Sequence, residues 1–312
     1  MAEAALKDQK IGWIGAGRMG YAMADRLLKA GADVAVYNRT RAKAEPLAEV
    51  GATIVDRPAD LADRDIVFTM ISGPADLKEV TLGENGVLSR PGTVPGLLID
   101  CSSISEEASA FVREAARALG TEMLAAPVSG NAKVVKTGKL SIVASGPQAA
   151  FERALPYLDA LGEGVSYVGG GELARMVKIC HNMLLGVVTQ SLAEIVVLAE
   201  KGGVPRHALM DFINKSVMGC RFSKYKTPAI VKVDFSPTFT PLLLRKDLDL
   251  GLAAGEELGV PLPVTQVTRD LVQRVIDDGC TEEDFLVLLR QEAGDAGLEL
   301  VPEDVEVEDG LS

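Results

Sequence analysis

The run Ile11–Ile14, followed at once by Gly15-Ala16-Gly17-Arg18-Met19-Gly20 and the helix-like stretch Met19–Ala30, constrains this chain more than any other feature. A short apolar run feeding a glycine-rich turn that opens a helix is a strand–turn–helix unit, and a second apolar run, Val34–Tyr37, completes it. In that context Gly15 permits the tight turn, Gly17 lets backbone approach a ligand, and Gly20 lets the helix pack close to the strand. Unpaired amides and the positive end of the helix dipole then favour a pyrophosphate. Gly15, Ala16, Gly17, Arg18, Met19 and Gly20 are therefore candidate cofactor-binding residues, a ligand-free glycine-rich turn being the alternative.

The same rhythm continues along the chain. Thr53–Val55, Ile66–Met70, Leu97–Asp100, Met123–Ala126 and Leu140–Ala144 read as further strands. Ser105–Leu119 and Gln148–Leu161 have helical spacing, and Gly31 and Gly120 stand where helices stop. This pattern implies an α/β fold, a Rossmann-type doubly wound parallel sheet.

After Gly169-Gly170-Gly171 the strand signal ends and long helical segments begin, so an all-helical C-terminal domain is expected. Glu172–Lys201 is the first of these, roughly 45 Å long at about 1.5 Å per residue. It is apolar on most sides and is expected to be buried between domains or subunits, which predicts a homodimer or homotetramer. Helices are expected to start at Thr240-Pro241 and at Thr281, capping a turn with Glu282, Glu283 and Asp284, and to end at Gly259 and Gly279. The expected domains are 1–168, dinucleotide-binding, and 169–300, helical, with 301–312 a solvated acidic tail.

Two domains also suit 312 residues, beyond the size at which single cores stop growing. A formal net charge of −12, with no basic stripe interleaved with aromatics, excludes nucleic acid as a partner. Met1–Lys10 lacks the pattern of a targeting segment, and the apolar stretch Met183–Ala199 is broken by Thr189, Gln190, Ser191 and Glu194. No membrane is expected, and a cytoplasmic location is. Cys101, Cys180, Cys220 and Cys280 form no CxxC pair and only His181 and His207 could join them, so reduced thiols and no metal site are expected. Carbonyl chemistry on such a chain needs a side chain to supply the proton.

The second strand ends in Tyr37-Asn38-Arg39-Thr40, where a site for NAD places an acid against the ribose hydroxyls. No acid stands there. The Arg39 fork can pair with a 2′-phosphate, and Asn38 and Thr40 can add neutral hydrogen bonds, so NADP is the expected cofactor and NAD the alternative. Met70, Ile71 and Ser72 follow another strand and are expected to line the cofactor path, because ligands of open α/β sheets sit beyond the strands' carboxyl ends.

Four segments together resemble the β-hydroxyacid dehydrogenase family, which includes 3-hydroxyisobutyrate dehydrogenase and glyoxylate/succinic semialdehyde reductases. They are Gly15–Gly20, Ala126-Pro127-Val128-Ser129-Gly130, Gly169-Gly170-Gly171 leading to Lys178 and Asn182, and Lys246-Asp247. The likeness covers nearly the whole chain. Lys178 and Asn182 are four apart in a helix and so share one face. The resemblance implies that Lys178 is the catalytic acid/base, that Asn182 orients it or the substrate, and that Ser129 and Gly130 receive the substrate carboxylate. It also implies a place for Lys246 and Ser103 near the nicotinamide, where the family more usually has Thr at the latter position. Asn131 stands where the family often has another glycine and enters the candidate substrate pocket. The implied reaction interconverts a small hydroxy acid and its aldehyde- or keto-acid in a cleft between the domains. His181 is assigned to packing or helix contacts, and Arg221 and Lys224 to surface charge. Two other readings stay open: an imine reductase of the same fold, against which Lys178 argues, and a non-catalytic NADP-binding interaction module.

Overall fold

The computed structural model describes residue 6 and residues 8–311. The chain divides into two compact units, Met1–Lys178 and Ile179–Ser312.

In the first unit six strands form one parallel sheet: β1 (Lys10–Ile14), β2 (Asp33–Tyr37), β3 (Thr53–Ile54), β4 (Ile66–Thr69), β5 (Leu97–Asp100) and β6 (Glu122–Ala125). Their order is β3-β2-β1-β4-β5-β6, so the winding reverses between β1 and β4. Register aligns Tyr37, Ile14, Thr69, Asp100 and Ala125 in one row across the sheet. The loops that follow these residues therefore emerge along a single edge.

The period of two in each strand builds a core on both faces. Ile11, Trp13, Val36, Phe68 and Ile99 pack with Met23 and Leu27 of α1 (Arg18–Lys29), and Trp13 stacks on Phe68 at 5.2 Å. Ile14, Ala35, Val67 and Leu98 face the other way, with Leu77 of α2 (Pro74–Leu82) and with Val112 and Ala116 of α3 (Glu106–Ala118). The doubly wound arrangement follows from that alternation.

Leu140–Ala144 is a strand as expected, but it lies in a different sheet. β7 (Val128–Ser129), β8 (Leu140–Ala144) and β9 (Gly162–Tyr167) form a separate three-stranded sheet, antiparallel then parallel, flanked by α4 (Ala132–Lys136) and α5 (Gln148–Leu161). An isolated bridge between Ala125 and Ser145 marks where the chain leaves the large sheet.

α6 (Leu173–Lys201) is the long helix, and its composition and length alone would let it cross a membrane. Its Ala193, Val196 and Val197 instead lie in the core of the second unit, with Met210 of α7 (Arg206–Lys215) and Ile230 of α8 (Arg221–Lys232). Leu244 and Leu248 of α9 (Pro241–Leu258), Val272 and Val275 of α10 (Pro263–Asp277) and Leu288 of α11 (Val287–Asp295) complete that core. Gly259 ends α9 in the left-handed region, and Pro241 opens it, although Thr240 makes no side-chain cap.

Two expectations are corrected here. Thr281 caps no helix: α11 begins only at Val287. The competing interaction is at Asp284, which pairs with buried Lys226 at 2.6 Å and accepts from the Thr238 amide and hydroxyl and from the Leu286 amide. That carboxylate holds residues 281–286 as a turn. The acidic tail is not simply solvated either. Glu303 accepts from the amides of Arg206 at 2.7 Å and His207 at 3.0 Å, and from His207 Nδ1 at 2.8 Å, while Leu311 is buried. α7 is preceded by Pro205, whose side chain cannot cap, so the distant Glu303 satisfies the helix's first amides.

Burial is the largest influence on the Glu303 carboxyl and pushes it up. The hydrogen bonds from His207 and the Arg206 amide, with the Arg206 charge, outweigh it and hold the group below its ordinary range. A lowered carboxyl contributes stability above its unfolded pKa, about 4.3, and loses it as pH falls through the folded value. Glu303→Gln is expected to cost about 1 kcal/mol at neutral pH, as removal of a helix cap does. In thermal melts from pH 7 downward the gap between wild type and variant should close below about pH 4; a pH-independent gap would show that the ionised carboxylate is not the cap.

Candidate active site

The glycine-rich turn leaves β1 at the point where the sheet's winding reverses. Gly15 has φ of 100°, and a Cβ there would meet the Met70 carbonyl oxygen at 2.2 Å. A Cβ on Gly20 would meet the Gly15 carbonyl oxygen at 1.9 Å. Both glycines are demanded by packing. Gly17 is different: it is the N-cap of α1, and a Cβ there would touch nothing within 4 Å. Nothing in the protein's own packing requires glycine at 17, whereas a pyrophosphate lying against the first amides of α1 does. The turn therefore fits a dinucleotide. Arg18 is exposed, Met19 is half-buried and Ala16 is buried.

Asn38 ties the end of β2 to this turn. Its Oδ1 accepts from the Ala16 amide at 2.8 Å, and its Nδ2 donates to the Thr40 carbonyl at 2.8 Å. Arg39 is 81% exposed on its side chain and pairs at 3.0 Å with Asp76, in the first turn of α2. Asp76 is a member of this group that the sequence did not suggest. Met70 and Ile71 are half-buried and Ser72 exposed at the end of β4, and Ser103 is half-buried beyond β5.

Beneath these loops lies a charged network inside the first unit. Arg175, at 1% exposure, donates from Nη2 to Asp100 at 2.5 Å, from Nη1 to the Ser102 carbonyl at 2.5 Å and from Nε to Ser109 Oγ at 3.2 Å. Asp100 also accepts from Thr69 Oγ1 at 2.6 Å and Ser102 Oγ at 2.7 Å, and Ser102 Oγ accepts from the Ile71 amide at 2.9 Å. A charged residue among Ala174, Met176 and Val177 was the available signal for Arg175. Next to Asp100, burial holds the Cys101 thiol far above its usual range, so it stays protonated.

Ser129 ends β7, half-buried. Gly130 follows at φ of 138°, where a Cβ would crowd Val134. Asn131 is the N-cap of α4: its Oδ1 accepts from the amides of Lys133 at 3.0 Å and Val134 at 3.1 Å. That oxygen is committed to the helix. Asn131 shapes the loop that carries Ser129.

Lys178, half-buried, and Asn182, buried, stand one turn apart on α6. Within the second unit Asn182 Nδ2 donates to Asp247 Oδ2 at 2.5 Å, and Lys246 Nζ lies 3.3 Å from Asp247 Oδ1. Asp247 is itself buried, so it fixes the Asn182 amide and stands beside Lys246. His181 Nδ1 lies 2.9 Å from Asn182 Oδ1. Arg221 and Lys224 are exposed on α8. Among the described residues no group of three or more His, Cys, Asp or Glu side chains is placed to hold a metal ion.

Residues 10–169 match the NAD binding domain of 6-phosphogluconate dehydrogenase, and residues 173–291 match the NAD-binding domain of NADP-dependent 3-hydroxyisobutyrate dehydrogenase. Over 281 residues the chain is 32% identical to glyoxylate/succinic semialdehyde reductase 1 of Arabidopsis thaliana, spanning 90% of this chain and 97% of that one. The chain belongs to the β-hydroxyacid dehydrogenase family. Another relative, 2-(hydroxymethyl)glutarate dehydrogenase of Eubacterium barkeri, is 33% identical over 91% of this chain and 95% of its own. The crystal structure of 3-hydroxyisobutyrate dehydrogenase from Salmonella typhimurium superposes with a TM-score of 0.81 at 26% identity, over 91% of this chain and all of that one. This β-hydroxyacid dehydrogenase is an NAD(P)-dependent oxidoreductase.

Gly17 and Gly20 of the turn separate in a direct test. Gly17→Ala is expected to fold with a loss under about 1 kcal/mol, the scale of an N-cap exchange, yet to weaken dinucleotide binding at least tenfold by fluorescence titration. Gly20→Ala, whose Cβ meets backbone, is expected to cost about 3 kcal/mol or more. Unimpaired binding by Gly17→Ala would remove the dinucleotide from this turn.

Proposed function

We propose that this β-hydroxyacid dehydrogenase works with NADPH in preference to NADH, reducing a short aldehyde- or keto-acid to its hydroxy acid and running the reverse oxidation, with Lys178 as general acid/base. The observation that carries the proposal is the Lys178–Asn182 pair on one face of α6, with Asn182 held by a buried carboxylate. The bound nicotinamide supplies or accepts the hydride. In the reducing direction the Lys178 ammonium donates a proton to the alkoxide oxygen that develops at the former carbonyl; in the oxidising direction its neutral amine takes the hydroxyl proton. Asn182, its amide fixed by Asp247, orients the lysine or the reacting oxygen. The Ser129 hydroxyl and the Gly130 amide donate to the substrate carboxylate.

The NADP preference is supported by Asn38-Arg39-Thr40, which lacks an acid for the ribose hydroxyls, and by the exposed Arg39 fork at the sheet edge. Asp76 pre-sets the direction of that fork and must yield part of it to a 2′-phosphate. NADPH and NADH oxidation should be followed with glyoxylate, succinic semialdehyde, methylmalonate semialdehyde and tartronate semialdehyde. Lys178→Ala is expected to lower kcat by roughly 10²–10⁴, the range for losing a general acid, with NADPH binding retained. Arg39→Ala should raise the KM for NADPH about tenfold or more, the scale of a charge-assisted hydrogen bond, and leave NADH unaffected. Turnover by Lys178→Ala at the wild-type rate, or equal use of both nucleotides by the wild type, overturns the corresponding part.

A homodimer or homotetramer is proposed as the working form. Its support is apolar surface on the helical unit: Leu184 and Leu198 of α6 and Val264 and Val267 of α10 are each at least 60% exposed, an excess for a solitary chain. Val187, Val264, Val267 and Leu271 also line an open groove of about 370 Å³ between α6 and α10. Sedimentation equilibrium should return a multiple of 32.9 kDa; a monomer at micromolar concentration refutes it.

A further inference from the structure

The first turn of α6 is anchored three ways within the first unit. The Ser145 hydroxyl, at the end of β8, donates to the Gly171 carbonyl at 2.8 Å and accepts from the Ala174 amide at 3.0 Å. Arg113 of α3 donates to the Gly171 carbonyl at 2.6 Å and pairs with Glu172 at 2.9 Å. Both of these hold the backbone where the helix starts. The third anchor, Arg175, reaches elsewhere.

Its three nitrogens are spent on three different pieces of chain: Asp100 at the end of β5, the Ser102 carbonyl in the loop after it, and Ser109 in α3. Through Asp100 the network continues to Thr69 at the end of β4, and through Ser102 Oγ to the Ile71 amide. Met70–Ser72 and Ser103 are candidate cofactor contacts on those same two loops. Arg175 also precedes Lys178 by three residues, so the two side chains leave neighbouring positions on the helix surface. One planar group thus joins the helix turn that carries Lys178 to both loops at the edge where a nicotinamide ring would lie.

Stability alone does not account for this arrangement. Arg175 and Asp100 are each 1% exposed, and a fully buried ion pair generally gives no stability beyond what apolar residues of the same volume would give. What a rigid fork with every nitrogen directed does supply is a fixed distance and rotation between elements. Displacements near 1 Å of a catalytic group lower rates by about a hundredfold.

We propose that Arg175, acting through Asp100, is a positioning residue for catalysis: it sets the place of Lys178 against the loops after β4 and β5, and its loss lowers kcat while leaving dinucleotide binding intact. This rests on the reading of Lys178 as the acid/base. The decisive variant is Arg175→Met with Asp100→Asn. It removes both buried charges together, and the carbonyl oxygen of the substituted amide can still accept from the Thr69 and Ser102 hydroxyls, while the Ser102 carbonyl and the Ser109 hydroxyl lose their Arg175 donors. The expected result is a folded protein with a lowered melting temperature and an NADPH dissociation constant within about threefold of wild type, with kcat lowered at least tenfold. Arg175→Lys, which keeps the charge but not the fork, should lose kcat at least threefold.

Lys178→Ala is measured beside them. If Lys178→Ala turns over normally, the acid/base reading fails and this proposal falls with it. If Lys178→Ala is inactive while the folded double variant has wild-type kcat, the positioning role alone is overturned. Should the double variant not fold, Arg175→Lys is decisive, and wild-type kcat in it is the overturning result. A readout without turnover is the acylation rate of Lys178 in NADPH-loaded protein, followed by peptide mass spectrometry. It should change at least threefold in the double variant, or in Arg175→Lys where that variant is decisive. An unchanged rate in a folded variant counts against the proposal.

Discussion

Parallel pairing in strict register is the constraint from which the first unit's chemistry follows. Because Tyr37, Ile14, Thr69, Asp100 and Ala125 lie in one row, five loops of different sequence are delivered to one edge. A slip of one residue in any pairing would turn that strand's apolar faces over, exchanging residues between two cores that are both fully packed. The register is therefore held by burial on both faces and needs no support from the loops. Those are left free to carry the glycine turn, Asn38-Arg39-Thr40, Met70–Ser72 and Ser103. At the reversal between β1 and β4 the neighbouring connections leave on opposite faces, which opens the space that the glycine turn borders.

Charge is treated differently from apolar surface in this molecule. Among the described residues three cations are almost wholly buried, and each is met by carboxylate: Arg175 by Asp100, Lys226 by Asp284, and Arg206 by Glu200. Each pair also gathers backbone partners from segments far apart in sequence. Asp284 collects amides from two turns, and Arg206 donates to the carbonyls of Val231 and Val301. Apolar packing would serve stability at these places at least as well. The pairs are better understood as pins that fix where irregular chain sits: the loops after β4 and β5, the turn before α11, and the tail on α7.

The same distinction explains what could be read from the sequence. Strands buried on both faces appear as continuous apolar runs, and Ile66–Thr69 and Leu97–Asp100 were legible for that reason. The small second sheet was not. β7 has two residues, and β9 contains Glu163, Gly164 and Ser166 and is only partly buried, so β8 alone carried a signal and nothing local told which sheet it joins. The Gly15–Gly20 turn between strand and helix was legible because it is contiguous, and Lys178 and Asn182 were legible as neighbours on one helix face because their spacing is one turn. Arg175, Asp76 and Asp247 act on partners 37 to 75 positions away, and such pairings leave no periodic trace. Thr281 and the tail failed for a related reason: a local capping rule lost to Asp284, and a solvated composition lost to a distant helix end that lacked amide partners.

Helix α6 shows how these pieces bear on one another. Its continuity fixes the separation of Lys178 and Asn182 at one turn, so the pair cannot be pulled apart without breaking backbone hydrogen bonds. Arg175 and Ser145 hold the turn before Lys178 within the first unit, while Asp247 holds Asn182 within the second. Lys178 therefore sits on a stretch of helix whose two ends are restrained by different groups, both buried. A flexible four-carbon side chain loses much conformational freedom when it must present its amine at one point. On the proposed acid/base role of Lys178, restraining the backbone beneath it, and the amide one turn on, reduces what remains to be ordered when substrate arrives. On that same proposal the residues next to the lysine bear on its chemistry as directly as the lysine's own identity.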